Sequence, residues 1–430
     1  MVVAVYLSRR NERLRLAESG ASGVVARGER QVSSNVVFLG LTSMFTDISS
    51  EMVTAVLPVY LTFQLRFTPL QFGTFDGLYQ SLAAVVLVAG ALVADSRKRH
   101  KEVAGLGYAL SAGCKLGLLA SGGAWLPTVT SLYVDRTGKG MRTAPRDALI
   151  SLSSAPARLA RSFGVHRALD TAGAVLGPVV AFVILAVATR AYDAVFLTSF
   201  CAAIIGLGML VLFVENRRGR ELDVGSASRR VSLRAAFRLL SIPGFRALVV
   251  VGAVLSVLSV SDAFVYLTFQ RRASLGLGFF PLLYVGTSVV YLILAVPLGR
   301  LADRVARDRV FVGGHVLLLG VYLVLLLPGR GVVAMLGLWT LFGAYYAATD
   351  GVLMALASSQ VPPGLRASGL ALLTTATALG RLVASIAFGL FWSWRGSGFT
   401  VTVFAIALAV VLPVVAAALF ARHAPEPSAP

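Results

Sequence analysis

The stretch DRTGKGMRTAPRDALISLSSAPARLARSFGVHRALDTAGAVLGP, Asp135 to Pro178, decides how the 430-residue chain is read. It lies inside a strongly apolar sequence, yet its two helical segments are rich in charge. Asp135, Lys139, Arg142 and Arg146 recur at i, i+4, i+7 and i+11, the spacing of one helix face. In the second segment His166, Asp170, Gly173 and Gly177 repeat that spacing, so charge gives way to a seam of small residues. An ion at the centre of a bilayer costs roughly 2.5–3.5 kcal/mol on insertion scales. Several on one face would exclude that face from lipid, so these helices are expected to turn their charges toward each other or toward water.

Hydrophobic residues make up 57% of the chain and charged residues 14%, with a mean hydropathy of +0.80. A soluble chain of this length would divide into domains carrying far more surface charge. The composition predicts instead an all-α polytopic membrane protein. Apolar runs of span length fall at roughly 34–62, 71–94, 102–124, 126–153, 162–189 and 193–214, then at roughly 246–269, 278–301, 309–328, 331–356, 367–391 and 397–420. Strand-length alternation is absent, which argues against a membrane barrel. The expected organisation is a tail over roughly residues 1–33, a six-helix bundle over 34–214, a basic linker over 215–245, a second six-helix bundle over 246–421 and a short tail over 422–430.

The net charge of +19 does not point to nucleic acid, because the basic residues gather in loops on one side. Arg97, Lys98, Arg99 and Lys101 form one such cluster, and Arg304, Arg307 and Arg309 another. This asymmetry places both termini in the cytoplasm, with the chain in the plasma membrane. The linker segment LRAAFRLLS, from Leu233, fits either an interfacial helix on the inner leaflet or a solvated connection. Cys114 and Cys201 lie within apolar spans and imply no disulfide framework. None of the His and Cys residues cluster with metal-ligand spacing, and no motif asks for a cofactor. The expected partners are a small-molecule or ion substrate and membrane lipid, for a chain working as a monomer.

The two halves look like copies. GALVAD at Gly90–Asp95 matches GRLAD at Gly299–Asp303; Asp47 in SMFTDIS matches Asp262 in LSVSDAF; the segment from Ala144 is echoed from Ala347. Duplicated bundles are a transporter architecture, with the solute path between the halves near the bilayer midplane.

These residues resemble the major facilitator superfamily. Its loop signature, G-x-L-A-D followed by basic residues, is similar to Gly299, Leu301, Ala302 and Asp303 with Arg304 and Arg307; in the first half Ala91 takes the glycine position before Asp95. The resemblance implies that Asp95, Gly299, Asp303, Arg304 and Arg307 form a loop gating motif. Arg136 with Gly140 resembles the fourth-span arginine motif associated in that family with proton transfer. Gly173, Gly177 and Pro178 resemble the G-x-x-x-G-P motif of the fifth span, typical of antiporting exporters. LTSMFTDISSEM and DRTGKGMRTAPRDAL resemble a group of bacterial permeases, some of whose relatives are described as metal-resistance exporters. The resemblance implies twelve transmembrane helices in two pseudo-symmetric six-helix bundles.

Asp47 and Glu51 share one face of the first span, where carboxylates in a low-dielectric path can exchange a proton in the physiological range, or are held by a base such as Lys115 or Arg136. Asp135 and Lys139 are spaced to pair along the fourth span. Arg142 and Arg146 lie nearer the cytoplasm, where Arg146 can simply meet headgroups. Arg167 and Asp170 are spaced to bridge toward the fourth span, and His166 either titrates or is a hydrogen-bonded structural group. The second half holds Asp262, Asp350 and Arg381 in an otherwise apolar wall, with Tyr345 and Tyr346 as packing or as binding residues. The function expected is secondary transport of a small solute, as a proton-coupled exporter. The alternatives are uptake of a small anion, metal-cation efflux, a membrane-embedded enzyme using His166 and Asp170, or a non-transporting sensor.

Overall fold

The computed structural model describes residues 32–97, 100–155, 158–216, 238–327, 331–362 and 365–420. The basic tail, the linker through Phe237 and the C-terminal tail lie outside the described residues, as does the side chain of Asp95. The first half contains α1 (Ser34–Val59), α2 (Pro69–Arg97), α3 (His100–Ala120), α4 (Trp125–Leu152), α5 (Leu159–Val187) and α6 (Tyr192–Phe213). In the second half α7 comes in two segments, Pro243–Leu258 and Asp262–Ala273. They are followed by α8 (Phe280–Arg304), α9 (Arg307–Leu326) and α10 (Val332–Gln360). Helices α11 and α12 share the helical stretch Arg366–Phe420 and are divided at Gly396, whose φ of 82° and ψ of 169° no helix contains.

Among the described residues, nine helical stretches are long and apolar enough to cross a membrane, the α11–α12 stretch counting once. α4 is not one of them, because Asp135, Arg136, Lys139, Arg142, Arg146 and Asp147 all lie on it. It is tolerated inside the bundle because α2 and α3 pack along it, with α1 and α5 close by.

The same neighbours recur in both halves. α1 packs on α5 and α6, α4 on α2 and α3, and α3 on α6; α7 packs on the α11–α12 stretch, α10 on α8 and α9, and α9 on the α11–α12 stretch. Small residues make the equivalent crossings tight. A Cβ on Gly177 of α5 would sit 2.7 Å from the Ile48 carbonyl of α1, and one on Gly380 of α11 would sit 2.8 Å from the Ala253 carbonyl of α7. The two bundles are therefore pseudo-symmetric, as in the fold the sequence resembles. With twelve helices both chain ends fall at one end of the bundle.

The halves touch at the other end. There the Leu70 amide donates to Ser393 Oγ at 3.1 Å, Phe182 meets Phe279 at 5.7 Å between ring centroids, and Arg271 lies over Phe63. α2 and α11 stay in contact down to mid-depth, where Ser81 Oγ donates to the Ala378 carbonyl at 3.1 Å.

Two helix irregularities shape the interior. Pro58 removes a ladder hydrogen bond from α1, and the chain answers with a π-helical turn over Tyr60–Gln64, Thr62 Oγ1 donating to the Pro58 carbonyl at 2.6 Å. The seventh span, read as continuous from its apolarity, is broken at residues 259–261. Tyr322 of α9 closes that gap: its hydroxyl accepts from the Val260 amide at 3.0 Å and donates to the Leu258 carbonyl at 2.7 Å. Irregular backbone survives at membrane depth only when protein or water satisfies it in this way.

The Gly177 crossing sets a test of packing. Gly177→Leu should destabilise the protein by about 1–3 kcal/mol, the usual cost of overpacking, seen as a lower melting temperature in detergent. Gly113→Ala, which adds a Cβ with nothing within 4 Å, should leave the melting temperature unchanged.

Candidate functional site

Two polar centres occupy the interior. In the first half α4 presents a ladder of cations to α1 and α5. Lys139 Nζ lies 3.4 Å from Glu51 Oε1, Arg142 Nη2 lies 3.7 Å from Asp47 Oδ1, and Arg146 Nη1 lies 3.6 Å from Asp170 Oδ1. Each exceeds the 2.7–2.9 Å of a charge-assisted hydrogen bond. The carboxylates also keep some exposure: 25% of the Glu51 side chain, 15% of Asp47 and 18% of Asp170. They are paired loosely, and water can reach them.

One turn deeper in α4 the geometry is different. Asp135 Oδ1 takes Lys115 Nζ at 2.5 Å and also accepts from Ser111, with the Lys115 side chain 1% exposed. This pair holds α3 against α4 and is sealed from water. The spacing of Asp135 and Lys139 along one helix therefore does not make a pair: Asp135 reaches across to Lys115 of α3 and Lys139 to Glu51 of α1. Neither Lys115 nor Arg136 holds Asp47 or Glu51.

Arg136 carries the motif whose resemblance implied a part in proton transfer. It is buried, with its guanidinium 3.9 Å above the ring of Tyr79 on α2. A desolvated cation–π contact of this kind contributes about 2 kcal/mol. Among the described residues no carboxylate lies within ion-pair distance of Arg136, and its Nε has no hydrogen-bond partner. Arg146 does not reach headgroups: it donates to Ser43 Oγ at 3.0 Å and to Asp147 Oδ1 at 3.1 Å. Asp170 bridges to α4 as its spacing suggested, while Arg167 is exposed and lies near Tyr291 of α8. His166 is buried beside Arg146 and Asp170 with neither ring nitrogen hydrogen-bonded, so it is not the expected hydrogen-bonded group.

Gly173 and Gly177 do lie in the α1–α5 interface, against the carbonyls of Met44 and Ile48, with Pro178 inside the continuing helix. In the loop motif, Asp303 and Arg307 pair with each other at 2.8 Å on an exposed turn; Arg304 is exposed and Gly299 contacts nothing that a Cβ would meet.

The second polar centre corrects the expectation of an apolar wall. Asp262, Tyr345, Tyr346, Asp350 and Arg381 all line one cavity of about 310 Å³. The break in α7 brings Asp262 there, as the first residue of its second segment, where a carboxylate suits the helix dipole. The Tyr346 hydroxyl donates to Asp262 Oδ1, and the Tyr345 hydroxyl donates to Ser259 Oγ at 3.3 Å. Tyr266 meets Tyr284, Phe280 and Phe342 edge-on as plain packing. Asp76 of α2 accepts from Ser385 of α11 at 2.8 Å, tying the halves together rather than serving an ion.

Sequence reasoning missed Tyr322, Tyr79, His315 and Ser385. Aromatic and hydroxyl residues inside apolar spans read as filler, and only the polar interruption Ser259-Val260-Ser261-Asp262 hinted at the break.

A multi-pass helical shell with buried charges between two repeated halves defines a membrane transporter. Residues 39–286 and 273–430 match the Major Facilitator Superfamily, and the chain belongs to it. It is 29% identical over 374 residues to an uncharacterized MFS-type transporter of Methanocaldococcus jannaschii, covering 85% of this chain and 90% of that one. Among solved structures it is similar in fold to the nucleoside transporter NupG, with a TM-score of 0.74 at 14% identity over 89% of this chain and 99% of that one. It is also similar to a bacterial homologue of the human lysosomal transporter Spinster, in an inward-facing and occupied conformation. There the TM-score is 0.65 at 13% identity, over 89% of this chain and 94% of that one.

The sealed pair makes a further test. Lys115→Ala strands Asp135 and should cost about 3–5 kcal/mol. Lys115→Met with Asp135→Leu should recover most of that stability, measured as melting temperature in detergent.

Proposed function

We propose that the protein is a proton-coupled secondary transporter that exports a small solute from the cytoplasm by alternating access. The observation that carries this reading is the loose ladder on α4. Asp47, Glu51 and Asp170 face cations at 3.4–3.7 Å while remaining partly exposed, so taking up a proton breaks an attraction without opening a sealed pair. Each protonation releases a cation of α4 and loosens α4 from α1 or α5. That links proton occupancy to the packing of the helices that must rearrange.

Contacts between the halves gather at the end away from the chain termini, as alternating access requires of one state. With both termini in the cytoplasm of a plasma-membrane protein, this state opens inward. The glycine seam holding α5 on α1 supports export, since the matching motif is typical of antiporters. A monomer contains both polar centres, and no further subunit is needed to complete either. A second reading, uptake of a small anion, is favoured by Arg136, a buried cation with no carboxylate within ion-pair distance among the described residues.

Proteoliposomes given a pool of small metabolites and read by mass spectrometry separate these readings. Antiport predicts accumulation driven by an acidic lumen; anion symport predicts accumulation driven by an acidic exterior. Asp47→Asn should keep solute exchange at equal pH and lose the response to the gradient. Accumulation indifferent to any imposed gradient overturns proton coupling.

A further inference from the structure

The cavity in the second half can be read group by group, by asking which hydrogen-bonding capacity the protein has already used. Thr349 Oγ1 and Thr377 Oγ1 donate to carbonyls of their own helices, at 2.8 Å and 3.1 Å. Ser259 Oγ donates to the Leu255 carbonyl at 2.8 Å while accepting from Tyr345, and Ser385 is engaged with Asp76. These hydroxyls are thus satisfied, while Ser261 Oγ, also in the lining, is buried without a hydrogen-bond partner among the described residues.

The ionic groups are not satisfied. Asp350 and Arg381 are both exposed, and both line the cavity. Among the described residues neither has a hydrogen-bond or ion-pair partner. Asp262 accepts from Tyr346 with one oxygen and retains the other. His315 adds a further acceptor. Its Nδ1 lies 2.9 Å from the Phe311 carbonyl, which can only accept, so the proton is on Nδ1 and Nε2 is bare.

The free groups therefore comprise two carboxylates, one imidazole acceptor and one guanidinium. Charges that meet water in the wall of a cavity hold best a solute that brings the opposite charges, so a site with this composition selects such a solute. The acceptors call for a cationic group with several N–H donors. Arg381 calls for an anionic group, which a guanidinium binds by its paired donors.

Size narrows the class. About 310 Å³ lies at the small end of the roughly 300–1,000 Å³ found for ligand pockets. Among the described residues Gln80 is the single lining residue from the first half, so the pocket is built almost entirely by the second. Tyr346 also lines a second cavity, of about 270 Å³, which reaches Asp303 and Arg307 at the end of the bundle where the chain termini lie. Tyr346 thus stands between the pocket and a cavity that leads toward that end.

We infer that this pocket binds a small amphoteric solute, its ammonium on Asp262, Asp350 and His315 Nε2 and its anionic group on Arg381. The inference rests on the transporter reading above and names the solute class for it, while leaving the coupling ladder on α4 a separate matter.

The test is equilibrium binding, which needs no gradient. Thermal shift of the purified full-length chain in detergent is measured with millimolar L-valine, isobutylamine and isovalerate, and then with pools of other L-amino acids, their decarboxylated amines and their deaminated acids. The expected result is stabilisation by amino acids, with amines and acids binding on the order of tenfold more weakly or worse. Arg381→Ala should erase the advantage of amino acids over amines, and Asp350→Asn their advantage over acids. Both variants must show wild-type elution and unliganded melting; Arg381→Lys and Asp350→Glu serve where they do not. Stabilisation by acids alone, by amines alone, or by no pool overturns the inference, as does an amino-acid shift that neither variant alters. Loss of the pH-gradient response in vesicles with this binding intact would refute proton coupling and leave the pocket assignment standing.

Discussion

Charge on α4 that lipid cannot accept is the constraint from which the first half follows. Six ionisable residues on a helix of span length must be met by protein or water. The bundle meets them in graded fashion. Lys115 and Asp135 are sealed between α3 and α4. Arg136 is covered by the face of Tyr79. The ladder toward α1 and α5 is left loose and partly wet. The same helix thus carries a structural lock and a set of loosely paired, partly exposed ions. Distance and exposure distinguish them, since all are acid–base pairs on paper.

The second half solves a different problem with a broken helix. Interrupting α7 at mid-depth exposes backbone groups that hydrocarbon would penalise, and Tyr322 of α9 takes both of them. The gain is a helix start aimed at the interior, with Asp262 at its first position and the hydroxyls of Tyr345 and Tyr346 arranged behind it. Broken spans of this kind line solute sites in transporters because they bring helix ends to the midplane. The two halves are thus alike in helix packing and unlike in chemistry. One handles ions in pairs, and the other keeps ions unpaired around a cavity.

Between them, α2 and α11 form a contact that reaches into the interior. Asp76 bonds Ser385 across the interface, and small residues allow close approach: a Cβ on Gly77 would sit 3.0 Å from the Leu382 carbonyl. Contact that begins at one end and continues to mid-depth leaves the opposite end to the cavities lined by Tyr346, Asp303 and Arg307. Access to the interior differs between the two ends according to where the halves touch.

The sequence alone determined the membrane class, the two repeated halves, the crowding of charge on α4 and α5, and the five residues that prove to line one cavity. Periodicity and composition carry these because a span must be apolar for a set length and an ion on it must be sheltered. It did not determine which ion meets which. Asp135 and Lys139 are spaced to pair and do not, since each has a nearer partner on another helix, Lys115 and Glu51. Nor did it foresee Tyr322 or Tyr79, whose roles depend on contacts between helices far apart in the chain. Only the tertiary structure decides pairing, because in a packed bundle every charged side chain chooses among several neighbouring helices, and the choice rests on angstroms that no one-dimensional spacing records.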